Sequence, residues 1–243
     1  MILNKKLICI FQFFLWAKQK LISLFQALFK HKSSLVYIKP TMSSPYTKFV
    51  NDRRTVEKSA FTHTSMKGGA YYIPGPDEEK LLKLYSEELK RGKPLYMTEN
   101  PRDELPILID LDFRFPIDKT ERQYTTDMIK EIVKTYVYQL GLYIDLSENT
   151  DICVMEKAHP IVDVKKNVVK DGIHIMMPNL VTSKYVQLQV RERCLSELGK
   201  ILAPLNCSNP IHDIVDEAVI GKNNWTMYGS QKSENIPYTV SHH

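Results

Sequence analysis

Ile107-Leu108-Ile109-Asp110-Leu111-Asp112-Phe113-Arg114-Phe115 reads as a β-strand with two unlike faces. Alternate side chains of a strand share a face. Asp110, Asp112 and Arg114 therefore fall on one side, and Ile107, Ile109, Leu111, Phe113 and Phe115 on the other. The apolar set is a continuous ridge that anchors the strand in a core. The polar set projects two carboxylates from one rigid element, about 6.5–7 Å apart along the strand. Carboxylates that close repel, and a cation, a shared proton or an arginine must compensate. A divalent metal suits such oxygen ligands and leaves room for substrate phosphates. Arg114 neutralising a surface ion cluster is the simpler alternative, and the stretch alone leaves both open.

Upstream of this strand, residues 43–76 read as strand and loop, broken by Gly68-Gly69 and Pro74-Gly75-Pro76. Short strands are expected at 61–64 and 70–73. Asp77 is expected to cap a helix running to Lys90, with Leu81, Leu82, Tyr85 and Leu89 inward. Downstream, 121–140 has helical apolar spacing and closes at Gly141. Strands are expected at 152–157 and at 168–177, the second ended by Pro178. Within it His174 shares a face with Gly172 and Met176, opposite Ile173 and Ile175. Ser183 caps a third helix to about Leu202. After a Pro- and Asn-rich loop come Ile214-Val215-Asp216, a turn at 221–224, a strand at 225–228 and a last strand at 237–240. Helices and strands interleave irregularly, with neither a Gly-rich phosphate loop nor a doubly wound rhythm. The fold class is α+β.

The chain of 243 residues can bury a sizeable core. Its net charge of +5 is unevenly spread. Residues 1–41 hold seven lysines and no acid, leaving 26 basic against 28 acidic groups in residues 42–243. Contact with nucleic acid must then come from local patches. Residues 1–41 read as a basic, apolar extension outside the core, with 42–243 as the folded domain. An amphipathic interfacial helix and a translation start at Met42 are both compatible with the extension; an appended leader is preferred to a membrane anchor. Cys9, Cys153, Cys194 and Cys207 lie far apart and form no C-x-x-C pair. Neither a zinc site nor a disulfide framework is expected, and a reducing, intracellular compartment is.

Polar groups face out of apolar strands or strand ends at Asp110/Asp112, at His174 and at Asp216, which follows Ile214-Val215. Gly229-Ser230-Gln231-Lys232 adds a small-residue turn with a lysine. Three carboxylates can hold two divalent ions that bridge an attacking oxygen and a nucleotide's phosphates. Phosphoryl transfer needs in-line positioning and positive charge over the phosphates more than covalent help from the protein. Taken singly, each of these residues has an ordinary structural reading: a packed histidine, a turn-capping aspartate, a solvated lysine. The residues by themselves point to a metal-dependent nucleotidyl or phosphodiester enzyme.

The ordered set resembles the archaeo-eukaryotic primases and primase-polymerases. Their pattern is hydrophobic-D-hydrophobic-D/E, then small-x-H, then hydrophobic-D. This chain reads Ile109-Asp110-Leu111-Asp112, Gly172-Ile173-His174 and Val215-Asp216, followed by Asn224-Trp225, Tyr228, Ser230 and Lys232. With their flanks these motifs are similar to the primase part of the helicase-primases of large nucleocytoplasmic DNA viruses, from about residue 45 to 240. The resemblance implies a primase-like catalytic core, an α/β unit packed on an RRM-like unit with the active site in the cleft. It implies that Asp110, Asp112 and Asp216 hold two Mg²⁺ or Mn²⁺ ions. It implies further that His174, Lys232 and Ser230 contact the incoming nucleotide's phosphates, with Arg114 near the same cleft.

Two departures stand out. Gly172 replaces a serine, removing a hydroxyl, and Thr226 stands where primase-polymerases often carry arginine. The implied activity is primer synthesis from nucleoside triphosphates on single-stranded DNA. Lys165, Lys166, Lys170 and Arg114, with Trp225 and Tyr228, are candidate template contacts, and Arg114 is also a candidate nucleotide contact. The sequence contains no G-x-x-x-x-G-K-[ST], so a replicative helicase is expected in trans or in a further region. For a viral chain the implied site of action is the host cytoplasm or virus factory. A metal-dependent nuclease using the same carboxylates, and a non-catalytic binding module, are the alternatives.

Overall fold

The computed structural model describes residues 43–57, 61–146, 150–232 and 236–242. Expectations for residues 1–41 and the Met42 start lie outside them. Two compact units emerge, one holding the chain as far as Asn100 together with Gly229–Ser233, the other Pro101–Tyr228 and the C-terminal segment. Among the described residues no helix is long and apolar enough to cross a membrane.

In the first unit, helix α1 (Pro45–Asn51) starts where Ser44 accepts a hydrogen bond from the Thr47 N–H and Pro45 fills the first turn. A helix here departs from the strand-and-loop expectation, although Ser-Pro is a helix-start signal. Tyr46, Phe49 and Val50 are its buried face, and Tyr46 meets Tyr85 of α2 (Gly75–Lys90) edge-on at 5.8 Å. Pro74, not Asp77, occupies the cap of α2. Asp77 lies in the first turn and takes the Arg53 guanidinium at 2.6 and 2.9 Å. Strands β1 (Arg54–Thr55), β2 (His63–Ser65), β3 (Ala70–Tyr71) and β4 (Met97–Glu99) pair antiparallel in the order β1-β3-β2-β4.

The second unit is built on β5 (Glu104–Pro116), the opening stretch extended at both ends. Its apolar ridge is confirmed: Ile107, Ile109, Leu111, Phe113 and Phe115 are each at most 2% exposed. Together with β6 (Cys153–Glu156), β8 (Val168–Ser183) and β10 (Thr239–His242) it forms an antiparallel sheet in the order β10-β6-β8-β5; β7 (Ile161–Asp163) pairs with β8, and the two-residue β9 (Trp225–Thr226) precedes β10 in the chain. Helices α3 (Thr126–Gly141) and α4 (Lys184–Leu202) supply Ile129, Ile132, Tyr136, Leu140, Val190, Cys194 and Leu198 to the core under this ridge. Burying one such side chain is worth about 1.5–3 kcal/mol. Mixed helix and sheet, with antiparallel pairing throughout, is the α+β class read from the sequence.

Pro178 does not end β8. The strand runs on to Ser183, and the register with β5 jumps from Ile107↔Met177 to Pro106↔Val181. Proline lacks the N–H a continuous ladder needs, and a bulge is where a long strand tolerates it. The segment before α3 is also shorter in helix than expected. Thr125 caps α3, and Arg122 is held in an extended approach by Asp171 and Glu156.

Candidate metal and nucleotide site

The register of β5 and β8 sets the site. Asp110 lies opposite His174, Asp112 opposite Gly172, and Arg114 opposite Lys170. Directly opposed residues in an antiparallel pair share a face, so the sheet surface turned away from the helices carries all six. Asp216 joins them by a different route. A single turn of helix, α5 (Ile211–Ile214), ends just before Val215, which forms an antiparallel bridge with Leu111. The Asp216 N–H then donates to the Asp110 carbonyl at 3.0 Å. The motif thus stands beside β5 rather than on a strand of its own. One carboxylate oxygen from each of Asp110, Asp112 and Asp216 lies within 4.8 Å of the others. Such an acidic triad could hold a metal ion, and all-oxygen donors suit hard divalent cations.

The outer edge of β5 is closed piecemeal. Asn209 accepts the Arg114 N–H at 3.0 Å and donates to the Asp112 carbonyl at 2.9 Å, while the Ser208 N–H donates to the Arg114 carbonyl at 2.7 Å. At the other end Gln187 accepts the Leu108 N–H and donates to the Leu105 and Pro106 carbonyls. Arg191, 5% exposed, holds the turn that carries Asp216 by donating to the Val215 carbonyl at 2.6 and 2.9 Å and to that of His212 at 2.9 Å. Two side-chain amides, one guanidinium and a short bridge do the work of a further strand beyond β5.

His174 is 8% exposed and packed against two aromatic rings. Tyr238 stacks on it at 3.6 Å with 18° between planes, and Trp225 packs at 4.7 Å. Its Nε2 lies 3.5 Å from Asp110 Oδ1. Burial, then the negative charges of Asp110, Asp112 and Asp171, raise the Tyr238 phenol well above its usual pKa. It stays protonated and able to donate. Arg114 is exposed beyond Asp112 and pairs with no carboxylate among the described residues. The alternative in which it neutralises the acidic pair is therefore not realised. It lines an open depression of about 530 Å³ with Asp112, Asp216, Arg191 and His212.

The structure thus brings Asp110, Asp112, Asp216, His174 and Arg114 into one unit. Ser230 and Lys232 belong to the other unit. Ser230 is 1% exposed, its Oγ shared with the Tyr85 hydroxyl and accepting the Met97 N–H, both at 2.8 Å. Gly229 has φ +72°, and a Cβ there would lie 2.6 Å from Leu89 Cδ2, which explains the glycine before the serine. Lys232 is exposed.

Residues 62–243 match the family described as "C962R protein N-terminal AEP domain", AEP being archaeo-eukaryotic primase. The chain belongs to the archaeo-eukaryotic primase family. It is 34% identical over 187 residues to a protein of Acanthamoeba polyphaga mimivirus and 24% identical over 206 residues to one of Invertebrate iridescent virus 6. A protein of Invertebrate iridescent virus 3 is 24% identical over 200 residues. Each match covers 74% of this chain, and all three proteins carry the name putative helicase. The aligned segment spans only about a fifth of those relatives, 19–21% of their length. Membership in this primase family of large DNA viruses bears out the resemblance read from the motifs.

Sequence reasoning missed Gln187, Arg191, Asn209 and Tyr238. Gln187 and Arg191 did leave a signal, being polar residues spaced with Val190, Cys194 and Leu198 on the buried face of α4.

Proposed function

We propose that the chain is a template-directed nucleotidyltransferase that makes short primers on single-stranded DNA. The observation that carries this reading is the convergence of Asp110, Asp112 and Asp216, residues from distant parts of the chain, beside the buried edge of His174. The three carboxylates fit a pair of Mg²⁺ or Mn²⁺ ions. Bound there, such ions would activate the 3′-hydroxyl of the growing strand and neutralise charge on the departing pyrophosphate. The residues themselves position. Asp110 and Asp112 are fixed by a strand whose other face is core, and Asp216 by its bridge to that strand. His174 presents a ring edge with one orientation available, suited to donating to a phosphate oxygen. Lys232 takes the same phosphate-binding role on the resemblance alone, and Ser230, buried and bonded to Tyr85 and Met97, holds the turn that carries it.

On the same face, beyond Asp112, Arg114 stands opposite Lys170. The β7–β8 hairpin then ends in exposed Lys165 and Lys166 beside Val164, itself 77% exposed. This basic run supports a nucleic-acid strand lying along the sheet and away from the carboxylates. The names of the relatives support a helicase as the working partner.

The test is incorporation of labelled nucleotides on single-stranded DNA with Mn²⁺, comparing the wild type with a D110A/D112A variant whose fold is checked by circular dichroism. Incorporation is expected to fall to background, and Mn²⁺ binding measured by water proton relaxation to be lost with it. Unchanged incorporation in the variant overturns the reading. Cleavage of DNA without triphosphates would assign the same carboxylates to a nuclease.

A further inference from the structure

Lys157, Tyr238, His174 and Trp225 form a column across the face of the sheet. The Lys157 Nζ lies 4.8 Å from the Tyr238 ring centroid, Tyr238 stacks on His174 at 3.6 Å, and His174 rests on Trp225 at 4.7 Å. Tyr238 comes from the segment entering β10, which pairs with β6. It therefore reaches His174 from a part of the chain unrelated to the acidic strand. A second contact fixes its far end. A Cβ built at Gly172 would lie 2.6 Å from the Tyr238 hydroxyl, 2.7 Å from the Leu111 carbonyl and 3.5 Å from Asp112 Oδ1. A side chain at position 172 would meet both the Tyr238 hydroxyl and the Leu111 backbone carbonyl, so the phenol sits against a surface that only glycine leaves flat.

We propose that Tyr238 is the positioning residue for His174, its ring clamping the imidazole against Trp225 and its hydroxyl filling the notch that Gly172 leaves open beside Asp112. A buried imidazole stacked on one aromatic ring and packed against a second has little room to rotate about its side-chain bonds. Its edge stays directed along the carboxylates, and the ordering cost is met before a nucleotide arrives. The glycine of the small-x-His motif then serves two close approaches at once, that of the Leu111 carbonyl and that of the Tyr238 hydroxyl. This inference rests on the reading of His174 as a phosphate contact.

The experiment compares Tyr238→Leu, which keeps apolar bulk, with Tyr238→Phe, which keeps the ring, each alone and combined with His174→Ala. Two readouts are taken on the full chain: the ring-proton NMR shifts of His174, and KM and kcat for the nucleotide in Mn²⁺-dependent incorporation. Tyr238→Leu should abolish the ring-current displacement of the His174 resonances. It should raise the nucleotide KM about 10–100-fold, the range seen when a supporting group is removed, with kcat changed far less. Tyr238→Phe should preserve the NMR shifts and most of the affinity. In the His174→Ala background Tyr238→Leu should add little, since the two act as one unit.

Full additivity of the two substitutions, or His174 resonances unmoved in Tyr238→Leu, overturns the proposal. A wild type that binds Mn²⁺ but incorporates no nucleotide rejects the primase reading instead. The NMR comparison then decides the clamp by itself. Should Tyr238→Leu fail to fold, Tyr238→Met and Tyr238→Phe carry the test: Met keeps bulk but lacks the ring that stacks on His174, so its nucleotide KM should rise while that of Tyr238→Phe stays near wild type, and a KM unchanged in Tyr238→Met overturns the proposal.

Discussion

Arg122 sits between two carboxylates with almost no access to water. Asp171 is fully buried as a side chain and Glu156 is 8% exposed, and the guanidinium reaches them at 2.9 and 3.0 Å while donating to the Lys157 carbonyl at 2.6 Å. Burial works against the arginine's charge, but the Asp171 hydrogen bond and the surrounding negative groups outweigh it and raise its pKa. Removing one partner of such a cluster leaves charge stranded in a poorly solvated place, which typically costs about 3–5 kcal/mol. Arg122→Met is expected near the lower end of that range, since the guanidinium is itself 28% exposed. Urea unfolding checks this through a fall in midpoint at unchanged slope. Arg122→Lys should recover only part of the loss, keeping the charge and losing the fork that spans both acids.

At the level of elements, the outer edge of β5 is where site and scaffold meet. Asn209 replaces two backbone partners of a strand that is not there, one at Asp112 and one at Arg114. Asn209→Ala leaves a carbonyl and an N–H of the acidic strand without those bonds, at about 1–3 kcal/mol. Because the same contacts hold Asp112 in line with the Val215 bridge, Mn²⁺ affinity should also fall, about 10–100-fold. Thermal melting and proton-relaxation titration measure the two effects separately, and lost stability with full Mn²⁺ affinity would show that Asp112 needs no such support.

These contacts also mark what the sequence could and could not convey. The two-residue period of β5 and β8 made the faces of Asp110, Asp112 and His174 readable, because local geometry alone determines them. The α1 helix was signalled by Ser44-Pro45 and overlooked. The pairings of Asn209 with β5, of Tyr238 with His174 and of Arg122 with Asp171 join residues 49 to 97 positions apart. They depend on which strands become neighbours, and no local pattern specifies that. The bulge at Pro178 was misread for a related reason: a proline ends a strand only if the ladder cannot step around it.

At the scale of the molecule, charge is distributed locally. Residues 42–243 are nearly neutral as a whole, yet Arg114, Lys165 and Lys166 pair with no carboxylate among the described residues, whereas Lys170 is engaged by Asp163 at 2.7 Å. If a single strand lies along this run, replacing Lys165 and Lys166 together by Gln should weaken its binding uniformly across sequences. The slope of log K against log salt should flatten by on the order of 1.4, two phosphates at roughly 0.7 each. Fluorescence anisotropy over a salt series reads it directly, and an unaltered slope would place the strand elsewhere.

The patchwork along β5 has one more outcome, and it concerns many molecules rather than one. Ile107–Phe115 is rich in β-forming residues, and as the outermost strand of its sheet it would offer a row of open backbone groups to any other copy of the chain. Gln187, Asn209, Ser208 and the Asp216 turn cap that row from Leu105 to Arg114. The cover that aligns the acidic residues is thus also the guard against intermolecular strand addition, and loosening it exposes a template for aggregation at the acidic strand itself.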